Sequence, residues 1–514
     1  MRTHRPLILC LISAGLLTSS AFGPSLYEPV NPPRTFQVMA HRGAMMQAPE
    51  NTAPALERCV EDGFEWMEID LQLTKDGQHI ICHNGSVDGV TNGTGRIKDM
   101  TVEELKQLDA GVKFAPEFEG TRLLTLREIL TLAKGRVNLY LDCKSIDPAR
   151  LVEDILATDM ASQVVVFDDP DVLAKVHALS KGQIPTMPKW HPSYGKDEWV
   201  AQWQPVAVEI NADEVTSDIC TWFHQQGVKV QAKVLDEADT PVVWDRMLAD
   251  GVDWLQTDLS EEILAHRYRQ LPSRPIEISF HRGASRYAPE NTLPSYEKAV
   301  RMGADYAELD VRTTRDGQFF LLHDDDLDRT TDGKGPIAEK SAAEIQSLHA
   351  GAWFGAPFKD VKVPSLEEAV NVMKGRIKLY VDAKDIAPDA LARFLKENGV
   401  IEQSVVYQSP DYLIKLHESD PSIRALCPLG DATQVQSLHD TVHPYGFDTS
   451  WGILSKDLID RCHALGIKVF SDSMWKHERI EDYQEAIDWG IDVIQTDYPL
   501  RVMRAVELRA NRKN

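Results

Sequence analysis

Several features that would classify this chain at once are missing from it. Seven cysteines in 514 residues include no C-x-x-C pair, so neither a zinc ribbon nor a dithiol redox motif is written here. Cys10 lies in an apolar N-terminal run, and Cys59, Cys82, Cys143, Cys220, Cys427 and Cys462 show no short framework spacing and read as buried free thiols. A basic excess is also absent. Lys and Arg number 55 against 79 Asp and Glu, for a formal charge of -24, which argues against nucleic acid as a partner. Beyond the first two dozen residues no apolar run is long enough to span a bilayer. What is present, 43% hydrophobic and 26% charged residues, is ordinary globular composition in a chain too long for one core.

The start of the chain carries an export pattern. Two arginines in MRTHRP precede the apolar stretch Leu7 to Leu17, and small residues at Ala21 and Gly23 follow it. Residues 1–23 are therefore expected to be a cleaved signal peptide, and the mature protein to be periplasmic or secreted without a stable membrane span.

The dominant feature is a repeat. HRGAMMQAPENTAPALERC at 41–59 returns as HRGASRYAPENTLPSYEKA at 281–299, a shift of 240 residues. The same shift carries EWMEIDLQLTKDGQHIICH (65–83) onto DYAELDVRTTRDGQFFLLH (305–323) and GRVNLYLDCK (135–144) onto GRIKLYVDAK (375–384). One residue is then lost, and VDWLQTDLS (252–260) falls on IDVIQTDYP (491–499). Each copy is large enough to be a domain. We expect barrels over 35–268 and 276–503, joined by a linker at 269–275.

Within each copy, strand-like runs alternate with amphipathic helical stretches. In the first these are TFQVMAH, FEWMEIDLQL, HIICH, VNLYLDC, QVVVFD, PVAVEI, VKVQAK and VDWLQT, with GQIPTM a weaker ninth. The alternation predicts an α/β fold, two tandem (β/α)8 TIM barrels, with an open doubly wound sheet as the alternative. The turns TKDG and TRDG are too tight for a helix, so one of the nine candidates is surplus to the barrel.

The polar residues that recur fall at strand ends. His41, Glu68, Asp70, His83 and Asp142, with their repeats His281, Glu308, Asp310, His323 and Asp382, would meet at one barrel mouth, where strand C-termini converge. Three carboxylates there repel unless a cation neutralises them. Glu68 and Asp70 share a strand face at i and i+2, and alone would read as a solvent-facing pair; their return beside another histidine and another strand-end Asp favours a site.

The ordered set HRG, PENT, E-x-D, T-[KR]-DG, a histidine, D-x-K and a closing Q-T-D resembles the glycerophosphodiester phosphodiesterase family, over nearly all of each half. The resemblance implies barrels that hydrolyse glycerophosphodiesters, breakdown products of phospholipids, to glycerol phosphate and an alcohol with a divalent metal. It implies that Glu68, Asp70 and Asp142, and Glu308, Asp310 and Asp382, hold the metal. His41 with His83, and His281 with His323, would be acid and base pairs, with Arg42, Lys144, Arg282 and Lys384 on the phosphate. The chemistry needs such groups: cations to draw charge from the phosphoryl oxygens, and two imidazoles to move protons. All-oxygen ligands favour Ca²⁺ or Mg²⁺. Glu50 and Glu290 would support the metal or cap the next helix, for which Asn51 and Thr52 are also suited.

Both halves carry Asp where the family commonly has its third, Glu, ligand. The loop after the second histidine reads HDDDLDRTTDGKG in the second half and HNGSVDGVTNGTG in the first, so Asn84 and Gly89 stand for Asp324 and Arg329. Ala212 and Asp236 stand for Trp451 and Trp475, two expected wall residues. The second half is thus expected to be the main site for a small phosphodiester. A related phospholipase C-like activity on inositol or lysolipid substrates, or a non-catalytic barrel binding a phosphate or polyol, are the alternatives.

Overall fold

In a computed structural model of the chain, residues 25–512 are described; the signal-peptide expectation falls on 1–23, outside them. The second half closes as a barrel of eight parallel strands, Glu277–Phe280, Tyr306–Thr313, Lys378–Asp382, Ser404–Tyr407, Arg424–Leu429, Gly446–Ser450, Lys468–Asp472 and Val493–Thr496, the last pairing back onto the first. The first half has the same order, but its fifth position is taken by residues 186–189, which join the ring by single parallel bridges, Val166 to Thr186 and Lys189 to Glu209. The weak candidate GQIPTM, residues 182–187, overlaps this segment at Thr186 and Met187. Pro185 and Pro188 remove two ladder donors there, so the segment bridges without forming a full strand.

The surplus candidate is HIICH. His79–Ile81 pairs antiparallel with Trp66–Leu73 outside the barrel, as Phe319–Leu321 does with Tyr306–Thr313. The turn is tight because Gly77 takes φ 71°, open to glycine at little cost, and Thr74 Oγ1 hydrogen-bonds Asp76.

Large side chains fill each barrel: Met39, Trp66, Tyr140, Met187 and Trp254 in the first, Tyr306, Tyr380, Leu426 and Phe470 in the second. These positions alternate with outward-facing residues that meet the helices, as strand pleating demands. The first barrel also begins earlier than its strands, because Leu26 packs against its interior cluster and Tyr27 O accepts from Asn138 Nδ2 at 2.9 Å. At the other end the final helix, Pro499–Arg512, runs past residue 503.

The barrels share one apolar core layer. The helix Ser260–Arg269, last in the first barrel, packs on Leu293–Met302 and Pro499–Arg512 of the second. Buried ion pairs sit in the seam: Arg286 meets Asp62 at 2.8 Å and Glu61 at 2.7 Å, and Lys298 Nζ lies 2.5 Å from Glu261 and 2.6 Å from Glu262. Arg286 exposes 4% of its side chain and Asp62 3%, so each depends on the other for its charge.

Candidate active site

The two acid trios arise from register. Glu68 and Asp70 face inward from one strand, and Asp70 sits directly opposite Asp142 on the next. Asp310 and Asp382 are paired in the same way. In each trio one carboxylate oxygen per residue lies within 4.8 Å of the others, close enough for all three to hold one cation. Burial and the adjoining charge of Asp310 push the Glu308 carboxyl up to about 8, and burial with the charges of Asp70 and Asp142 raises Glu68 well above the ordinary carboxylate range. Asp310 goes the other way: burial opposes it, but Lys384, Asn291 and Arg282 hold it below that range.

The HRG turn is a strained device that feeds this trio. Arg42 and Arg282 both take φ 53°, a left-handed conformation costly for a side chain with Cβ. The turn points the Arg42 N–H at Glu68 Oε2, 2.7 Å away, and the Arg282 N–H at Glu308 Oε2, 3.0 Å away. Gly283 follows at φ 78°, where a Cβ would come within 2.2 Å of Ser295 Oγ. Glycine is therefore required at that point.

PENT separates into three tasks. Thr52 caps the helix Ala53–Asp62, accepting from Ala55 N. Asn51 does not cap: its Nδ2 donates to Asp70 Oδ2 at 2.9 Å and its Oδ1 accepts from Asp70 N at 3.1 Å, and Asn291 holds Asp310 likewise. Glu50 accepts from Arg42 at 3.1 Å, and Glu290 from Arg282 at 2.9 Å, so both orient an arginine and neither caps.

Each first histidine is fixed from behind. His41 Nδ1 meets Asp258 Oδ1 at 2.7 Å, and His281 Nδ1 meets Asp497 Oδ1 at 2.8 Å. The second-half imidazole then lies with Nε2 3.5 Å from Glu308 Oε2. Burial alone would lower the His281 pKa, but the carboxylates of Glu308 and Asp497 push it up to about 9. Asp258 and Asp497 are the closing acids of Q-T-D; the motif was visible, but its partner 217 residues away was not.

The second histidines differ between halves. His323 Nδ1 meets Asp324 Oδ1 at 2.7 Å; Arg329 clamps Asp324 at 2.6 Å and Glu290 at 2.8 Å, and holds Asp324 well below the ordinary carboxylate range. Among the described residues the His83 ring has one neutral contact, Asn84 Oδ1 at 3.1 Å, and Gly89 supplies no clamp. Lys144 and Lys384 lie among the acids, 2.6 Å from Asp142 and 2.5 Å from Asp382. Trp451 follows its strand and stacks on His477 at 5.7 Å and 21°. Trp475 begins the turn Trp475–His477, and its side chain lies outside the described residues.

Beside His281 and Arg282 opens a cavity of about 300 Å³ whose wall includes Glu290, Asp497, and Arg58 and Glu117 of the first barrel. Loops of the two barrels touch, with Phe114 O accepting from Ala356 N at 2.5 Å.

The model of the glycerophosphoryl diester phosphodiesterase family matches residues 41–262 and again 281–501. A glycerophosphodiester phosphodiesterase of Bacillus subtilis is 29% identical over 259 residues, spanning 44% of this chain and 85% of that protein. One from Caldanaerobacter subterraneus is 30% identical over 244 residues, 44% of this chain and 96% of its own. Among solved structures, a glycerophosphodiester phosphodiesterase from Agrobacterium tumefaciens is 28% identical with a TM-score of 0.42, covering 45% of this chain and 99% of that one. An Oleispira antarctica phosphodiesterase in complex with the product sn-glycerol-3-phosphate is 25% identical with a TM-score of 0.41, covering 47% and 98%.

Proposed function

This chain belongs to the glycerophosphoryl diester phosphodiesterase family in both halves, and from that premise we propose an exported, divalent-cation-dependent hydrolase that cleaves glycerophosphodiesters to glycerol phosphate and an alcohol. The observation that carries the reading is the conjunction, twice over, of a clustered, largely buried acid trio with an imidazole whose rear nitrogen is tied to a carboxylate. A binding module would need neither a fixed tautomer nor a second histidine.

A hard cation suits the trio, because Asp70 Oδ1 and Asp310 Oδ1 are buried and accept no well-directed hydrogen bond. Ca²⁺ or Mg²⁺ held by Glu308, Asp310 and Asp382 would neutralise charge on the phosphoryl oxygens. Arg282 and Lys384 are cations beside the same acids and would bind the remaining phosphate charge. With Nδ1 of His281 and of His323 each tied to an aspartate, each Nε2 is the nitrogen left for proton transfer. One ring takes the proton of the attacking hydroxyl while the other returns a proton to the departing alkoxide. The clamp on His323 makes the second half the principal site. Export is proposed on the basic, apolar and small-residue succession at the start of the chain. Among the described residues no helix is long and apolar enough to cross a membrane.

Histidine variants of the whole chain test this. His281→Ala and His323→Ala should each cut alcohol release from glycerophosphoglycerol by about a hundredfold or more, down to the level of the first half. His41→Ala should leave most of it. The opposite pattern would reverse the assignment of the principal site, and undiminished turnover in exhaustively metal-free protein would remove the cation from the proposal.

A further inference from the structure

The acid trios of the two barrels match, but the opposite sides of the two mouths do not. Register defines the corresponding positions. Lys189 lies opposite Glu209 in the first barrel as Pro428 lies opposite Asp448 in the second. Lys233 lies opposite Asn211 as Asp472 lies opposite Ser450. Alternation turns all of these toward the barrel interior: Met187 and Ala207, one layer below Lys189 and Glu209, belong to the interior cluster, and Tyr140 of that cluster donates to Glu209 at 3.0 Å. Gln231, two residues before Lys233, meets the interior Gln256.

The second barrel thus presents Asp448 and Asp472, and the first presents two lysines around one carboxylate. Lys189 Nζ is 3.7 Å from Glu209 and the lysine side chain is 48% exposed. Lys233 has no carboxylate within 4 Å among the described residues, so the pair of ammonium groups outnumbers its counter-charge. Glu209 senses Lys189, Lys233 and Asp142 together, which puts the lysines in the same mouth as the acid trio. Asp472 likewise senses His281 and Asp497, so this strand end borders the reacting histidine.

Resting on the phosphodiesterase reading above, we infer that the first barrel takes phosphodiesters that carry a second anionic group, a phosphate or carboxylate on the far side of the scissile bond, received by Lys189 and Lys233. The second barrel, with Pro428 in place of Lys189 and Asp472 in place of Lys233, disfavours them. The asymmetry arises because opposite charges at one strand end reverse the sign of the field that an incoming ligand meets. It also gives the retained trio and histidines of the first half a separate use.

The test uses the whole chain with the second site silenced by His281→Ala and His323→Ala, in the presence of Mg²⁺ or Ca²⁺. Its probes are glycerophosphoglycerol and the same compound phosphorylated on its terminal hydroxyl. The silenced chain should favour the phosphorylated probe by about tenfold or more in kcat/KM, the scale of one charge-assisted contact, and Lys233→Asp should abolish that preference. If the aspartate does not fold, Lys233→Gln should still reduce it severalfold. The complementary chain, with His41→Ala and His83→Ala, should favour the unphosphorylated probe. Equal hydrolysis of both probes by the silenced chain overturns the inference and leaves the phosphodiesterase reading standing. If neither probe is hydrolysed, the catalytic reading of the first barrel fails, and calorimetric binding of the two probes decides: tighter binding of the phosphorylated one, lost in Lys233→Gln, supports the inference, and equal affinity overturns it.

Discussion

Cation binding by the second barrel should be tied to proton release, and the coupling can be worked out from the trio. Glu308 is pushed up to about 8 by burial and by Asp310, so near pH 6 it carries a proton that a cation must displace. For one such proton the apparent affinity rises tenfold per pH unit below the pKa and levels off above it. Between pH 6 and pH 8 the gain is about fiftyfold, or roughly 2.3 kcal/mol. His281 adds to this: its pKa of about 9 depends on Glu308 and Asp497, and a cation at the acids offsets that support and favours loss of its proton. The measurement is calorimetry on an Asp70→Ala chain, in which the first site is disabled, with Mg²⁺ titrated at several pH values in buffers of different ionisation enthalpy. At least about one proton should leave per ion at pH 6, falling as pH passes 8. Affinity that shifts less than about threefold over that range, with no proton released, would show that Glu308 is not a ligand or is already ionised.

Two further outcomes concern stability. Asp62→Ala leaves Arg286 buried in the seam with Glu61 as its one carboxylate partner among the described residues, and should destabilise the whole chain by about 3 kcal/mol, the lower end for a broken buried pair; a change below about 1 kcal/mol in calorimetric unfolding would mean that the seam relaxes around the arginine. Asp448, which accepts from Tyr380, has its pKa raised to about 7 by burial, above its unfolded value. Its contribution is full below about pH 4 and is lost as pH rises through 7, by up to about 4 kcal/mol, so Asp448→Asn should flatten the fall in stability across that window, and an unchanged slope in denaturant titrations would refute it.

The acid trios were legible because same-face spacing on one strand and a strand-end Asp on the next are local patterns, and duplication separated them from solvent-facing carboxylates. The eightfold alternation was legible for the same reason. Residues 186–189 were ambiguous because two prolines deny them a strand pattern, and only closure of the ring requires them to bridge. Asn51 resembled a cap because Asn and Thr suit that position equally, and only the fold brings Asp70 within its reach. The Asp behind each first histidine and the Arg286 seam are long-range pairs. The repeat even concealed the seam, because Met46 occupies the position of Arg286 in the first copy and nothing polar marks it.

The seam bears on what each half can do alone. A cut at 269–275 would expose Arg286, Lys298, and the apolar faces of Ser260–Arg269 and Pro499–Arg512, all buried between the barrels. It would also take Arg58 and Glu117 from the wall beside His281. The second site is therefore completed by the first barrel, whatever the first barrel turns over. In the second half, Glu290, Arg329 and Asp324 tie His323 through charge-assisted bonds; in the first, His83 has one amide contact among the described residues. Proton transfer depends on holding the ring within a fraction of an ångström, about 0.5 Å, so the clamp favours rate in the second barrel. The first barrel keeps the same acids with a looser second histidine and a basic rear wall. Decay would be expected to erode the buried trio and the strained HRG turn first, because both cost stability when they serve no ligand. Their survival beside a changed wall is the pattern of a site turned toward a different ligand.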